Sequence, residues 1–182
     1  TQAVARATPD GYTLVMSSSG PLAANKTLVK NLGYDPERDF EPITLFAIVP
    51  NVIVVSTKLP VKSLSELTSY AKSKPNELNY GSVGIGSSQH LAGAFFEQIT
   101  DVQMTHVPYR VTSQMVTDMI AGSVQVSFQL LPNVRGMISA GQVRPLAVAA
   151  NKRLAALPDV PTTKEAGLSG YESAAWFAFL AP

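Results

Sequence analysis

Between Tyr80 and Leu91 the chain reads Tyr-Gly-Ser-Val-Gly-Ile-Gly-Ser-Ser-Gln-His-Leu, three glycines within six residues followed by two serines and a histidine. Gly81, Gly84 and Gly86 let a backbone turn sharply and approach a ligand closely. Ser87 and Ser88 put hydroxyls where a helix would begin. That combination suits the capture of an anion by main-chain N–H groups and hydroxyls. It is not a nucleotide signature: the dinucleotide fingerprint requires G-x-G-x-x-G, whereas the spacing is Gly81-x-x-Gly84-x-Gly86, and no lysine stands where a phosphate loop needs one. Nor does Gly84-Ile-Gly-Ser-Ser88 supply the G-x-S-x-G of a hydrolase nucleophile elbow. The competing reading is a turn that only packs a helix on a sheet.

The two histidines, His90 and His106, have no carboxylate or serine at a spacing that builds a metal site or a catalytic triad. His90, in the first turn after the elbow, is expected to hydrogen-bond locally and prop the loop. His106, alternating with Met104, is expected to pack inside a strand. Arg110, after Val107-Pro-Tyr109, offers a guanidinium that can fork onto a carboxylate, and Tyr109 a wall or a hydroxyl. Met115 and Met119 fall at helical spacing and read as core. No cofactor and no metal is expected.

The 182 residues, 46% hydrophobic and 15% charged, suffice for one sizeable core or two small ones. A net charge of +1, with no basic stripe, leaves a sequence-independent grip on nucleic acid without an electrostatic basis. The absence of cysteine excludes disulfides, thiolate metal sites and a cysteine nucleophile. No apolar run reaches the roughly 20 residues of a membrane helix, so the chain is not expected to span a bilayer. The opening Thr-Gln-Ala-Val-Ala-Arg-Ala reads as the tail of a helix already under way, and the chain is expected to be a fragment.

Pro9-Asp-Gly11 marks a turn before an apolar strand that ends in the hydroxyls of Ser17, Ser18 and Ser19. Segment 21–42 reads as irregular, and Ile43 to Ser56 as two strands or one bent strand interrupted at Pro50. Ser63-Leu-Ser-Glu66 matches a capping box that opens a helix ended by Pro75. Then strands 78–82, 102–107, 124–129 and 143–150 alternate with helices 88–99, 113–121 and 133–140, the last two stopped by Gly122 and Gly141. Such alternation implies right-handed crossovers and a doubly wound α/β unit with a parallel sheet. Loops Ser82–Ser88, Pro108–Ser113 and Gln129–Asn133 would share the carboxyl rim of that sheet, where ligands of open α/β sheets bind. Each would end at a helix start with open N–H groups.

Pro9-Asp-Gly-Tyr-Thr-Leu14, Tyr34-Asp-Pro-Glu-Arg-Asp-Phe40, Tyr80 to Leu91, His106-Val-Pro-Tyr109, Leu157-Pro-Asp-Val-Pro-Thr162 and Glu165-Ala-Gly-Leu168 occur in this order. With them the whole chain resembles the substrate-binding proteins of tripartite tricarboxylate transporters, the TctC or Bug family. The resemblance implies a periplasmic solute receptor with the type II binding-protein fold, two α/β lobes closing over an organic acid and handing it to a membrane permease. It implies a partial first lobe at 1–55, a second lobe at 56–165 and a strand crossing back at 166–182, with a signal peptide and terminal segments lying outside the chain. The family usually has Lys-Gly after Val-Pro-Tyr, where this chain has Arg110-Val-Thr-Ser113. Where many members carry an acidic or amide residue after the third strand of the second lobe, it has Gln129, a neutral donor and acceptor.

The resulting expectation is a binding protein rather than an enzyme. Ser82, Gly84, Gly86, Ser87 and Ser88 receive one carboxylate, Ser17, Ser18 and Ser19 face it from the other lobe, and Tyr109, Arg110, Thr112 and Gln129 shape selectivity. Apolar surface left bare by the missing pieces predicts dimerisation or swapping. Two rivals are a hydrolase or transferase using an elbow serine, with an imidazole within reach of Ser87 or Ser88, and the effector-binding lobe of a transcription regulator.

Overall fold

A computed structural model describes residues 1–182, which fall into two compact units, Thr1–Val49 with Ala175–Pro182, and Pro50–Ala174. The divisions lie several residues from those expected at 55/56 and 165/166. Val52 to Ser56 are fully buried, and Tyr171 is packed among second-unit side chains.

The first unit holds α1 (Gln2–Ala5), β1 (Val15–Ser18), a π-helical turn at Gly20–Ala24, α2 (Asn25–Leu28), the first part of β2 (Glu41–Ser56) and β7 (Ala174–Ala181, from Ala175). β7 lies between β1 and β2, antiparallel to β1 with Ser17 opposite Ala178. Segment 21–42, expected to be irregular, is helical from Gly20 to Leu28. Pro21 presets the first turn, and Leu22-Ala-Ala24 are good helix formers that the surrounding polar residues hide from a periodicity reading. Further on the Asp35 carboxylate accepts the Glu37 amide at 3.0 Å, and the Tyr34 hydroxyl donates to the Pro21 carbonyl at 2.7 Å. β2 is one continuous strand rather than two; Phe46 packs edge-on to Phe179, while Ile43, Leu45 and Ile48 stay exposed.

In the second unit the sheet order is β4 (Thr105–Pro108), β3 (Asn79–Ser82), β5 (Val126–Leu130), β2, with β6 (Val143–Val148) on the far side of β2. β3 is parallel to β4 and β5, as the alternation of strands and helices requires. β2, however, runs antiparallel to both β5 and β6. The expected parallel sheet is therefore interrupted by one reversed strand. Periodicity could not show this, because Val52-Ile-Val-Val55 is buried on both faces and carries no directional signal.

Alternate residues of β2 serve the two faces. Ile53 and Val55 join a core with Leu64, Leu67 and Ala71 of α3 (Leu64–Ser73) and Ala92 and Phe96 of α4 (Ser88–Thr100). Val52 and Val54 join another with Met115, Val116 and Met119 of α5 (Thr112–Ala121) and Val134 of α6 (Leu131–Ser139). Helices thus cover both faces, and Met115 and Met119 are core as expected. The capping box at α3 forms with a variation: Ser63 accepts the Glu66 amide at 3.2 Å, but Glu66 takes the amide of Lys62, at 2.7 Å, one residue before the cap. No helix is long and apolar enough to cross a membrane.

Candidate functional site

β3 connects through α4 to β4 on one side of it, while β5 connects through α6 toward β6 on the other. The chain therefore diverges between the carboxyl ends of β3 and β5. At such a divergence the loops part and leave a crevice. The Ser82–Ser88 elbow stands at this point. Pro108 is in register with Ser82 on the adjacent strand, so the starts of α4, α5 and α6 occupy the same rim.

The elbow is braced from inside. Gly84 and Gly86 adopt φ of +117° and +82°, the left-handed side that side chains avoid. The Ser87 hydroxyl caps α4 by accepting the His90 amide at 3.2 Å, and donates to the Gly84 carbonyl at 2.7 Å. The amides of Ser88 and Gln89 follow, with no carbonyl inside the helix to bond. Replacing Ser87 with alanine removes both bonds and is expected to lower the stability of the second unit by about 1 kcal/mol. Urea unfolding followed by far-UV circular dichroism checks this, and an unchanged midpoint would show that the cap is dispensable.

Ser82 is fully buried, and its hydroxyl accepts the Gly84 amide at 3.1 Å and meets His106 Nε2 at 2.6 Å. His106 stacks on Tyr80, centroids 4.9 Å apart, and lies 4.3 Å from the His90 ring. His90 Nδ1 accepts the Gly86 amide at 3.3 Å, the local propping role read for it. Burial holds both imidazoles below their ordinary value, and the neighbouring His90 lowers His106 further. His106 is thus more than strand packing. Period-2 alternation carried the available signal, because Tyr80 and Ser82 share a face of β3 and His106 is paired with Tyr80.

On the next loop the Tyr109 amide donates to the Ser82 carbonyl at 2.8 Å, and its hydroxyl donates to Asp118 Oδ2 at 2.7 Å. Burial, then the Asp118 bond, push the phenol up to about 12. Arg110 is exposed. Thr112 begins α5, whose N-cap, Val111, supplies no side-chain acceptor, so its first amides stay open.

The expected loop 129–133 does not exist: β5 ends at Leu130 and α6 begins at Leu131, because Pro132 sits in the first turn and the preceding extended residue leads straight into it. Gln129 is fully buried, its Nε2 donating to Ser127 Oγ at 2.9 Å and its Oε1 accepting Asn133 Nδ2 at 3.1 Å. Ser127 in turn donates to the Gly81 carbonyl at 2.7 Å. This network, invisible in sequence because its members lie on β3, β5 and α6, ties the divergence point together. Ser17 and Ser18 end β1 in the first unit and Ser19 starts the π-helical turn that follows; Ser17 is buried with its Oγ 3.3 Å from Thr1 Oγ1.

The structure thus gathers Ser82, Gly84, Gly86, Ser87, Ser88 and Tyr109 around one elbow, with Arg110 on the adjoining loop and Thr112 at the start of α5. It can present main-chain amides and a serine hydroxyl to a small anion. As a nucleophilic centre it is poorly built. The Ser87 hydroxyl is turned to a carbonyl, Ser82 is fully buried, and no carboxylate bonds the imidazole of its partner His106.

The model of the tripartite tricarboxylate transporter family receptor matches residues 1–182, and the chain belongs to that family. It is 33% identical over 183 residues to the protein BugT of Bordetella pertussis, covering 100% of this chain and 56% of BugT. It is 37% identical over 180 residues to a Pseudomonas protein from the tcbD–tcbE intergenic region, covering 98% and 53% of the two chains. Among solved structures, Rpa4515 of Rhodopseudomonas palustris with adipate superposes with a TM-score of 0.94 at 41% identity, over 100% of this chain and 60% of that one. The periplasmic binding protein BugD gives 0.90 at 33%, over 100% and 60%. MatC of R. palustris with bound malate gives 0.90 at 32%, over 100% and 62%. The fold is that of the TctC and Bug periplasmic binding proteins, and the chain spans about half the length of the relatives it matches.

Proposed function

We propose that this protein is a periplasmic receptor that captures a small organic carboxylate and delivers it to the membrane permease of a tripartite tricarboxylate transporter. The observation that carries the reading is the braced elbow at the divergence of β3 and β5, with the open starts of α4 and α5 on the same rim. A carboxylate loses its water favourably only where several donors are free to meet it, and the open first amides of α4 and α5, the former held in place by the capped elbow, offer them. The adipate of Rpa4515 and the malate of MatC, relatives at 41% and 32% identity, support the ligand class.

On this reading Ser88 and the open amide of Gln89 receive the carboxylate, while Gly84, Gly86 and Ser87, whose own donors are bonded within the elbow, shape the turn rather than contact the ligand as the sequence suggests. Arg110 on the next loop and Thr112 at the start of α5 bias selection. Ser82, Tyr109 and Gln129, whose polar atoms are engaged inside the unit, act through the backbone they hold. In the first unit Ser17, Ser18 and Ser19 are the proposed contacts. The test is calorimetry and thermal unfolding of the full-length protein with adipate, malate and citrate. A ligand at about 100 times its dissociation constant is expected to add about 2.7 kcal/mol of apparent stability. Absence of heat and of stabilisation with all three overturns the reading.

A further inference from the structure

Two half-buried imidazoles pack against each other at the elbow, and both are used as local braces. We propose that His90, with His106 packed against it, is a positioning residue that holds the carboxylate-binding elbow only while its own ring is neutral, so that acidification loosens the seat. The inference rests on the carboxylate reading for its effect on affinity, but not for its effect on the elbow.

The chemistry is set by atoms. Gly86 N–H donates to His90 Nδ1 at 3.3 Å, so this nitrogen must keep its lone pair, and the proton of the neutral ring sits on Nε2. Protonation would place a second N–H against the Gly86 amide. Two donors then face each other, and Gly86, at φ +82°, loses a bond that fixes its turn. The imidazolium would also lie in the first turn of α4, at the positive end of the helix. Its neighbour compounds the cost, because the His106 ring is 4.3 Å away.

His106 tolerates a proton better on its own account. Ser82 Oγ can accept from Nε2 at 2.6 Å and turn its own hydrogen to the Gly84 carbonyl at 3.2 Å. A charge there nevertheless repels one on His90. No carboxylate bonds either imidazole: both rings spend their bonded nitrogens on Ser82 and Gly86. Tyr80, stacked on His106 from β3, is held neutral by burial, its phenol pushed up to about 12. Glu97 of α4, which bears on Tyr80, is spent on the Met104 amide at 2.7 Å.

The direction of the pH effect follows. Burial lowers both histidines below the ordinary 6.5 in the folded unit, so the unfolded chain takes up protons first as the pH falls. The contribution is complete above about pH 6.5 and is lost progressively below it.

The test uses the full-length protein carrying 15N-glycine and 13C-histidine, titrated by NMR from pH 8 to 5 without ligand. The Gly86 amide is expected to shift and to exchange faster with an inflection matching that of His90. Adipate affinity, measured alongside, is expected to weaken roughly three- to tenfold over the same range. In His90→Asn the amide oxygen can take the Gly86 N–H but not a proton, and the pH profile is expected to flatten. A Gly86 amide indifferent to the His90 titration overturns the proposal, and so does an affinity that rises on acidification, which would mean the imidazolium contacts the anion. Should adipate fail to bind at pH 8 the carboxylate reading falls, and the amide titration alone decides the brace.

Discussion

Replacing Tyr171 with alanine is expected to lower the stability of the second unit by about 3–5 kcal/mol, the cost of deleting a fully buried aromatic ring. The ring stacks on Phe95 at 5.2 Å, meets Phe96 edge-on at 5.8 Å and lies 6.5 Å from Phe128, so it joins α4 to the sheet. Its hydroxyl donates to the Ala92 carbonyl at 2.7 Å. Tyr171→Phe keeps the ring and is expected to cost only about 1 kcal/mol, because a carbonyl inside α4 retains its helical partner. The lone tryptophan, Trp176, belongs to the first unit, so far-UV circular dichroism under urea is the suitable measurement. Equal losses for alanine and phenylalanine would show that the hydroxyl, rather than the aromatic cluster, anchors the segment.

Gly93→Ala should also destabilise, by about 1–3 kcal/mol, although alanine in a helix interior is ordinarily favoured over glycine by about 1 kcal/mol. A Cβ at this position would clash with one edge of the Tyr80 ring, at Cδ2, Cε2 and Cζ. That ring cannot step aside: it is buried, stacked on His106 and edge-on to Phe128 at 6.1 Å. Any shift is passed to His106 and from there to Ser82, so adipate affinity is expected to fall together with the unfolding midpoint. A variant with raised stability and unchanged affinity would separate the packing of α4 from the elbow and undo this account.

Much of the second unit was legible in the sequence because its signals are local. Helix starts and stops at Ser63, Ser87, Gly122 and Gly141, and apolar residues at helical spacing, give the order of elements without knowledge of any partner. The elbow was legible for the same reason, since positive φ leaves glycine as its mark and a helix start leaves serine. The reversed direction of β2 was not legible, because a strand buried on both faces reads identically in either direction. Nor was the absence of a loop after β5, where one proline decides whether extended backbone passes directly into a helix.

What the sequence by itself determined is the α/β alternation, the family, and a glycine-serine turn at the head of α4. What only the tertiary structure decided is which polar groups of that turn and its neighbours remain free. Ser82 and Gln129 look like surface donors in one dimension. In three they are fully buried and bonded to His106, Gly84, Ser127 and Asn133, residues up to 24 positions away. The physical reason is that a hydroxyl or amide carries the same potential wherever it stands, and strand pairing chooses whether another side chain or a ligand satisfies it.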